Sequence, residues 1–200
     1  PLWSRGLGDV YKRQAYALWL MTFHEDKKIL CISIKQEDAK ELVLKVNIMQ
    51  KNLPTWLRNQ CVEDNKLSMR FKNGSQIKAE SSSPEAGRGS AISLLIIDEA
   101  AFIENIDTIW TAAQQTLATG GDAIVLSTPN GLGGFFHKTW VDAEVHNPNA
   151  AFNFNTIRLD WTLHPERDQR WRDKQDEALG PKLAAQECFS GDTLIYTDSG

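Results

Sequence analysis

No apolar run in this sequence approaches the ~20 residues that a membrane-spanning helix needs, and no charged-then-apolar leader opens it. Both absences argue against a membrane protein or a secreted one. Cysteine is scarce: Cys31, Cys61 and Cys188 form neither an even framework nor a paired metal spacing, so a disulfide scaffold is excluded and a reducing compartment is the natural setting. His24, His137, His146 and His164 are scattered without metal-ligand spacing and read as surface or loop residues. Charge of neither sign dominates. The net −4 argues against a nucleic-acid-binding surface spread over the whole protein, though it leaves room for a local basic groove. Internal repeats and low-complexity tracts are absent too.

What remains has the composition of one soluble globular domain, with 42% hydrophobic and 24% charged residues. The opening PLWSRGLGDVYKRQ shows neither helical nor strand period. It resembles translated adapter or linker sequence, so residues 1–14 are expected to be a non-native or disordered leader. From Ala15 the chain alternates. AYALWLMTF reads as an apolar helix and KILCISI as a buried strand. In the next segment Ala39, Leu42, Val43, Val46 and Met49 share one helical face up to Pro54. KLSMRF and SQIKAE flank Asn73-Gly74, a strong hairpin signal. SLLIID and DAIVLS read as buried strands, separated by a helix that Gly120-Gly121 ends. FFHKTWVDAEV reads as a helix, FNFNTIRL as a strand, and residues 166–179 as a charged helix with a solvated face. Seven tryptophans, Trp110, Trp140 and Trp161 among them, fall at helical or loop positions and read mainly as packing residues. Strand and helix in turn, with short connections, predict an α/β fold: a parallel sheet flanked by helices.

The sharpest candidate site is SLLIIDEAAF. Four apolar residues lead directly into Asp98 and Glu99. In an open α/β sheet, ligands lie outside the carboxyl ends of the strands, where these two acids would project. In phosphate-loop NTPases an Asp placed so holds Mg²⁺ through water, and an adjacent Glu orients the attacking water. A strand that simply runs into solvent with two acids at its tip is the plainer alternative. One helix and one strand later comes IVLSTPNG, where Ser127, Thr128 and Pro129 again follow a buried strand. On a parallel neighbour they would lie beside Asp98 and Glu99, where short hydroxyls can sense a γ-phosphate. A turn without chemistry is the alternative here.

DEAAFI followed by LSTPNGLGGFFHKTW, with SSSPEAGRGSAISLLIIDEAAF upstream and KLAAQE downstream, resembles the ATPase domain of phage terminase large subunits over about residues 15–187. The resemblance implies a P-loop NTPase core of terminase or RecA-like type and an ATP- and Mg²⁺-dependent motor that packages double-stranded viral DNA. It further implies a portal protein and a terminase small subunit as partners, a homo-oligomeric ring, and the cytoplasm of the bacterial host as location. It would make Asp98 the Mg²⁺ carboxylate and Glu99 the catalytic one. Ser127, Thr128 and Pro129 would couple hydrolysis to domain motion. Arg88, in the loop before the acidic strand, either contacts phosphate or pairs with an acid; both remain open.

No G-x-x-x-x-G-K-[ST] run occurs in the 200 residues. The domain is therefore expected to be incomplete, lacking its phosphate loop and the family's nuclease domain, and this chain is not expected to turn over ATP usefully. CFSGDTLIYTDSG, residues 188–200, resembles the opening block of an intein of the Hint type, in which Cys188 would attack the Glu187 carbonyl to form a thioester. Continuing terminase sequence and a buried structural Cys are the alternatives there. A helicase-like translocase and a non-catalytic α/β binding module are the competing readings of the whole.

Overall fold

In the computed structural model the described residues are 7–83, 86–87, 91–117, 120–146, 154–159, 161–163, 167–181, 183–184 and 190–196. Among them, eight strands form one sheet: β1 (Lys28–Ser33), β2 (Cys61–Asp64), β3 (Ser68–Phe71), β4 (Gln76–Ser81), β5 (Leu94–Ile97), β6 (Asp122–Ser127), β7 (Phe154–Leu159) and β8 (Ser190–Tyr196). Their spatial order is β2-β3-β4-β1-β5-β6-β8-β7. The central four, β4, β1, β5 and β6, run parallel. The two strands at either end are antiparallel to their neighbours. The expected parallel sheet is thus the centre of a mixed one.

Among the described residues the helices that accompany the sheet are α1 (Leu7–Phe23), α2 (Gln36–Asn52), α3 (Ile106–Leu117), α4 (Gly134–Glu144) and α5 (Gln169–Leu179). Side chains of a strand alternate between faces, and the core divides accordingly. Ile29, Cys31, Leu94 and Ile96 point into a cluster with α1 and α2, built on Ala17, Met21, Ala39, Val43 and Val46. Leu30, Ile32, Leu95 and Ile97 point the other way, to Ile109, Trp110, Ala113, Phe135 and Phe136 of α3 and α4. Both faces of β5 are therefore covered, which is why LLII is apolar at every position.

The Asn73-Gly74 hairpin forms as expected, joining β3 to β4, with Gly74 at φ 85. One expectation is corrected. The first helix begins at Leu7 rather than Ala15: residues 7–14 are helical, and Arg13 and Gln14 are buried at 6% and 1% exposure. That stretch lacks an amphipathic period, and an ion pair rather than an apolar stripe fixes its end. Of residues 188–200, those described form strand β8, which lies between β6 and β7, with Val125 opposite Leu194 and Thr156 opposite Leu194 from the other side.

Candidate nucleotide site at the strand tips

The chain leaving β1 crosses through α2 toward β4 on one side, and the chain leaving β5 crosses through α3 to β6 on the other. The gap between β1 and β5 at their carboxyl ends is therefore the topological switch point of the sheet. Asp98 lies there, its backbone N–H donating to Ile32 O at 2.8 Å as a last extension of the β1–β5 pairing.

The Asp98 carboxylate is already engaged. Arg13 Nη1 and Nη2 donate to its two oxygens, each at 3.0 Å, in a bidentate pair whose side chains are 6% and 18% exposed. Such a fork is the strongest arrangement available to a guanidinium and a carboxylate. Arg13 Nε, also buried, has no hydrogen-bond partner among the described residues. Beneath the pair lies Cys31. Burial pushes its thiol up to about 12, the charge of Arg13 partly opposing and that of Asp98 adding to the shift.

Glu99 departs from ordinary backbone. At φ 53 and ψ 42 it is left-handed, a conformation that costs a non-glycine residue roughly 1–3 kcal/mol. A single 3-10 turn, Ala100–Phe102, follows it, closed by Phe102 N–H to Glu99 O at 3.0 Å and Ile103 N–H to Ala100 O at 3.3 Å.

The tip of β6 reaches this turn. Ile97 and Val125 are register partners on adjacent parallel strands. Ser127, 2% exposed, accepts the Ala101 N–H through Oγ at 3.1 Å. Asn130 Nδ2 donates to Ala101 O at 2.9 Å. The acids and the hydroxyl-bearing bend thus stand side by side, with Thr128 and Pro129 half-buried between the two anchoring residues. Sequence reasoning missed Arg13, which fell in a segment set aside as leader, and Asn130, whose only signal was its place in a Pro-Asn-Gly turn. Arg88 and Cys188 lie outside the described residues.

Two adjacent carboxylates at a strand end suit Mg²⁺, which takes one or two protein carboxylates and keeps water and phosphate for its other positions. Among the described residues no group of three or more His, Cys, Asp or Glu side chains could hold a metal ion alone.

Comparison with known proteins identifies the fold. The ATPase domain of the Thermus phage P74-26 large terminase superposes with a TM-score of 0.70 at 21% identity, covering 94% of this chain and 85% of that one. The bacteriophage HK97 large terminase gives a TM-score of 0.59 at 19% identity, covering 91% of this chain and 40% of that longer protein. These likenesses show the fold. The family model for the N-terminal part of T4likevirus-type terminase large subunits matches residues 4–189, and with nearly its whole length so matched, the chain belongs to that terminase large subunit family.

Proposed function

We propose that this chain is part of the ATP-hydrolysing motor that drives double-stranded viral DNA into a procapsid, in the cytoplasm of a bacterial host. The observation supporting it is the Ser127–Ala101–Asn130 hydrogen-bond bridge, which holds the tip of β6 against the carboxylate turn at the switch point. Asp98 would be the carboxylate that holds Mg²⁺, with Arg13 displaced from it. Glu99 orients and deprotonates the attacking water, its carboxylate aimed by the left-handed backbone. Thr128, at the bend between two anchored neighbours, faces the terminal phosphate, and Ser127, Thr128 and Pro129 carry its loss outward as motion of the loop. Arg88 is a candidate phosphate contact. ATP supplies the phosphoryl group and Mg²⁺ neutralises its developing charge. A portal protein, a terminase small subunit and a ring of further copies are the proposed partners. Among the described residues no helix is long and apolar enough to cross a membrane.

The 200 residues contain no G-x-x-x-x-G-K-[ST] loop, so this chain by itself is expected to release no phosphate above background in a malachite-green assay. In the intact gene product Mg²⁺-dependent release is expected, and Glu99→Gln should reduce it ~10²-fold or more while nucleotide binding persists. Release by E99Q at the unaltered rate would refute the assignment.

A second, nested reading concerns residues 188–200. Their uninterrupted order of Cys188, Gly191-Asp192-Thr193 and an apolar strand favours an intein start. The thiolate of Cys188 would attack the Glu187 carbonyl, converting the peptide bond to a thioester and freeing the Cys188 amine. Hydroxylamine should then cleave the intact gene product after Glu187, and Cys188→Ala should abolish that cleavage. Resistance of the unaltered protein would remove the intein.

A further inference from the structure

We infer that Asn130 is a positioning residue for Glu99, acting through the Ala101 peptide. This deepens the proposed function and rests on it. Left-handed backbone at a glutamate does not persist unless its surroundings hold it. Two 3-10 hydrogen bonds close the turn after Glu99, but they use the N–H groups of Phe102 and Ile103 and the carbonyls of Glu99 and Ala100. The Ala101 peptide groups take no part in them. Ser127 Oγ takes the N–H of that residue and Asn130 Nδ2 takes its carbonyl. One residue of the turn is therefore held at both polar groups by side chains of the neighbouring strand tip.

The two anchors differ in kind. Ser127 is buried and belongs to β6 itself, whereas Asn130 is exposed and sits between Pro129 and Gly131. Gly131, Gly133 and Gly134 all have positive φ, and a Cβ added at any of them would meet nothing within 4 Å. The bend beyond Asn130 thus has open space beside its glycines, while its near end is tied to β6. Displacement of the bend withdraws the Asn130 donor from Ala101 O, loosens the turn and misdirects the Glu99 carboxylate. Asn130 thereby links loop position to the catalytic geometry without touching substrate.

Hydrogen exchange on this chain tests the linkage directly, with Asn130→Ala and the isosteric Asn130→Asp, which lacks the donor. Both should speed exchange of the Phe102 and Ile103 amides by about tenfold, equivalent to ~1.4 kcal/mol, while amides of β3 and β4 stay unchanged. Exposure of Asn130 makes either variant compatible with the fold, which far-UV circular dichroism checks. In the intact gene product both variants should lower kcat by tenfold or more with KM for ATP within twofold. Unaltered exchange at Phe102 and Ile103, or unaltered kcat where E99Q is inactive, would overturn the inference. An E99Q protein with unaltered turnover would instead refute the role of Glu99, and with it the positioning role, while the exchange result would still report whether the clamp exists.

Discussion

The pair formed by Arg13 and Asp98 yields a sharp energetic prediction. Arg13→Met leaves a carboxylate that is 18% exposed without its cation, and Asp98→Asn leaves a guanidinium that is only 6% exposed without its anion. Stranding one member of a buried ion pair costs about 3–5 kcal/mol. The partial exposure of Asp98 lets water recover some of that loss, so R13M should lie near the lower end, about 3 kcal/mol, and D98N should cost more. For a domain of this size each kcal/mol moves the midpoint by roughly 2–4 °C, so R13M should lower Tm by about 6–12 °C. The double variant R13M/D98N removes both charges and should return to within about 1–2 kcal/mol of the parent, because the unpaired charge is what costs. Thermal and urea unfolding followed by circular dichroism measure all four proteins. A neutral R13M, or a double variant as unstable as the sum of the single ones, would refute the reasoning.

Other outcomes follow from the same structure. Ser127→Ala removes the acceptor of the part-buried Ala101 N–H and should cost about 1 kcal/mol by chemical denaturation. Gly121→Ala would place a methyl 2.2 Å from Ile92 O and 2.8 Å from Leu117 Cδ2 at the junction of α3 and β6. It should destabilise by about 1–3 kcal/mol in the same assay. Trp110→Ala, losing a ring 3% exposed that packs on Phe135 and Phe154, should cost about 3–5 kcal/mol. Because the folded-state pKa of Cys31 is raised from 9.0 to about 12, the folded chain holds that proton longer than the unfolded one. Its contribution is therefore complete below about pH 9 and is lost as pH rises toward 12. In native protein at pH 8, iodoacetamide and peptide mapping should find exposed Cys61 modified well before buried Cys31.

Much of the site could be read from residue order because its parts are local. LLII and AIVL are apolar throughout since helices cover both faces of β5 and β6, and the polar residues that follow each run mark the carboxyl ends. Asn73-Gly74 marked its hairpin through the positive φ that Gly74 adopts. The parts that escaped are long-range. Arg13 and Asp98 are 85 residues apart, and nothing in the order of residues pairs them. Asn130 reaches Ala101 across 29 residues by a turn side chain that periodicity does not address. β8 has the composition of a strand, but only sheet geometry puts it between β6 and β7. Apart from the β3–β4 hairpin, the antiparallel pairing at the ends of the sheet was hidden likewise, since strand signals carry no direction.

A crystal structure of the protein with Mg²⁺, ADP and aluminium fluoride, a mimic of the transferring phosphoryl group, tests the central claim most directly. The account predicts the metal and its waters at Asp98, the attacking water at Glu99, and Thr128 turned toward the fluoride, with Arg13 released. Nucleotide bound at another edge of the sheet, with the Arg13–Asp98 pair intact, would contradict it.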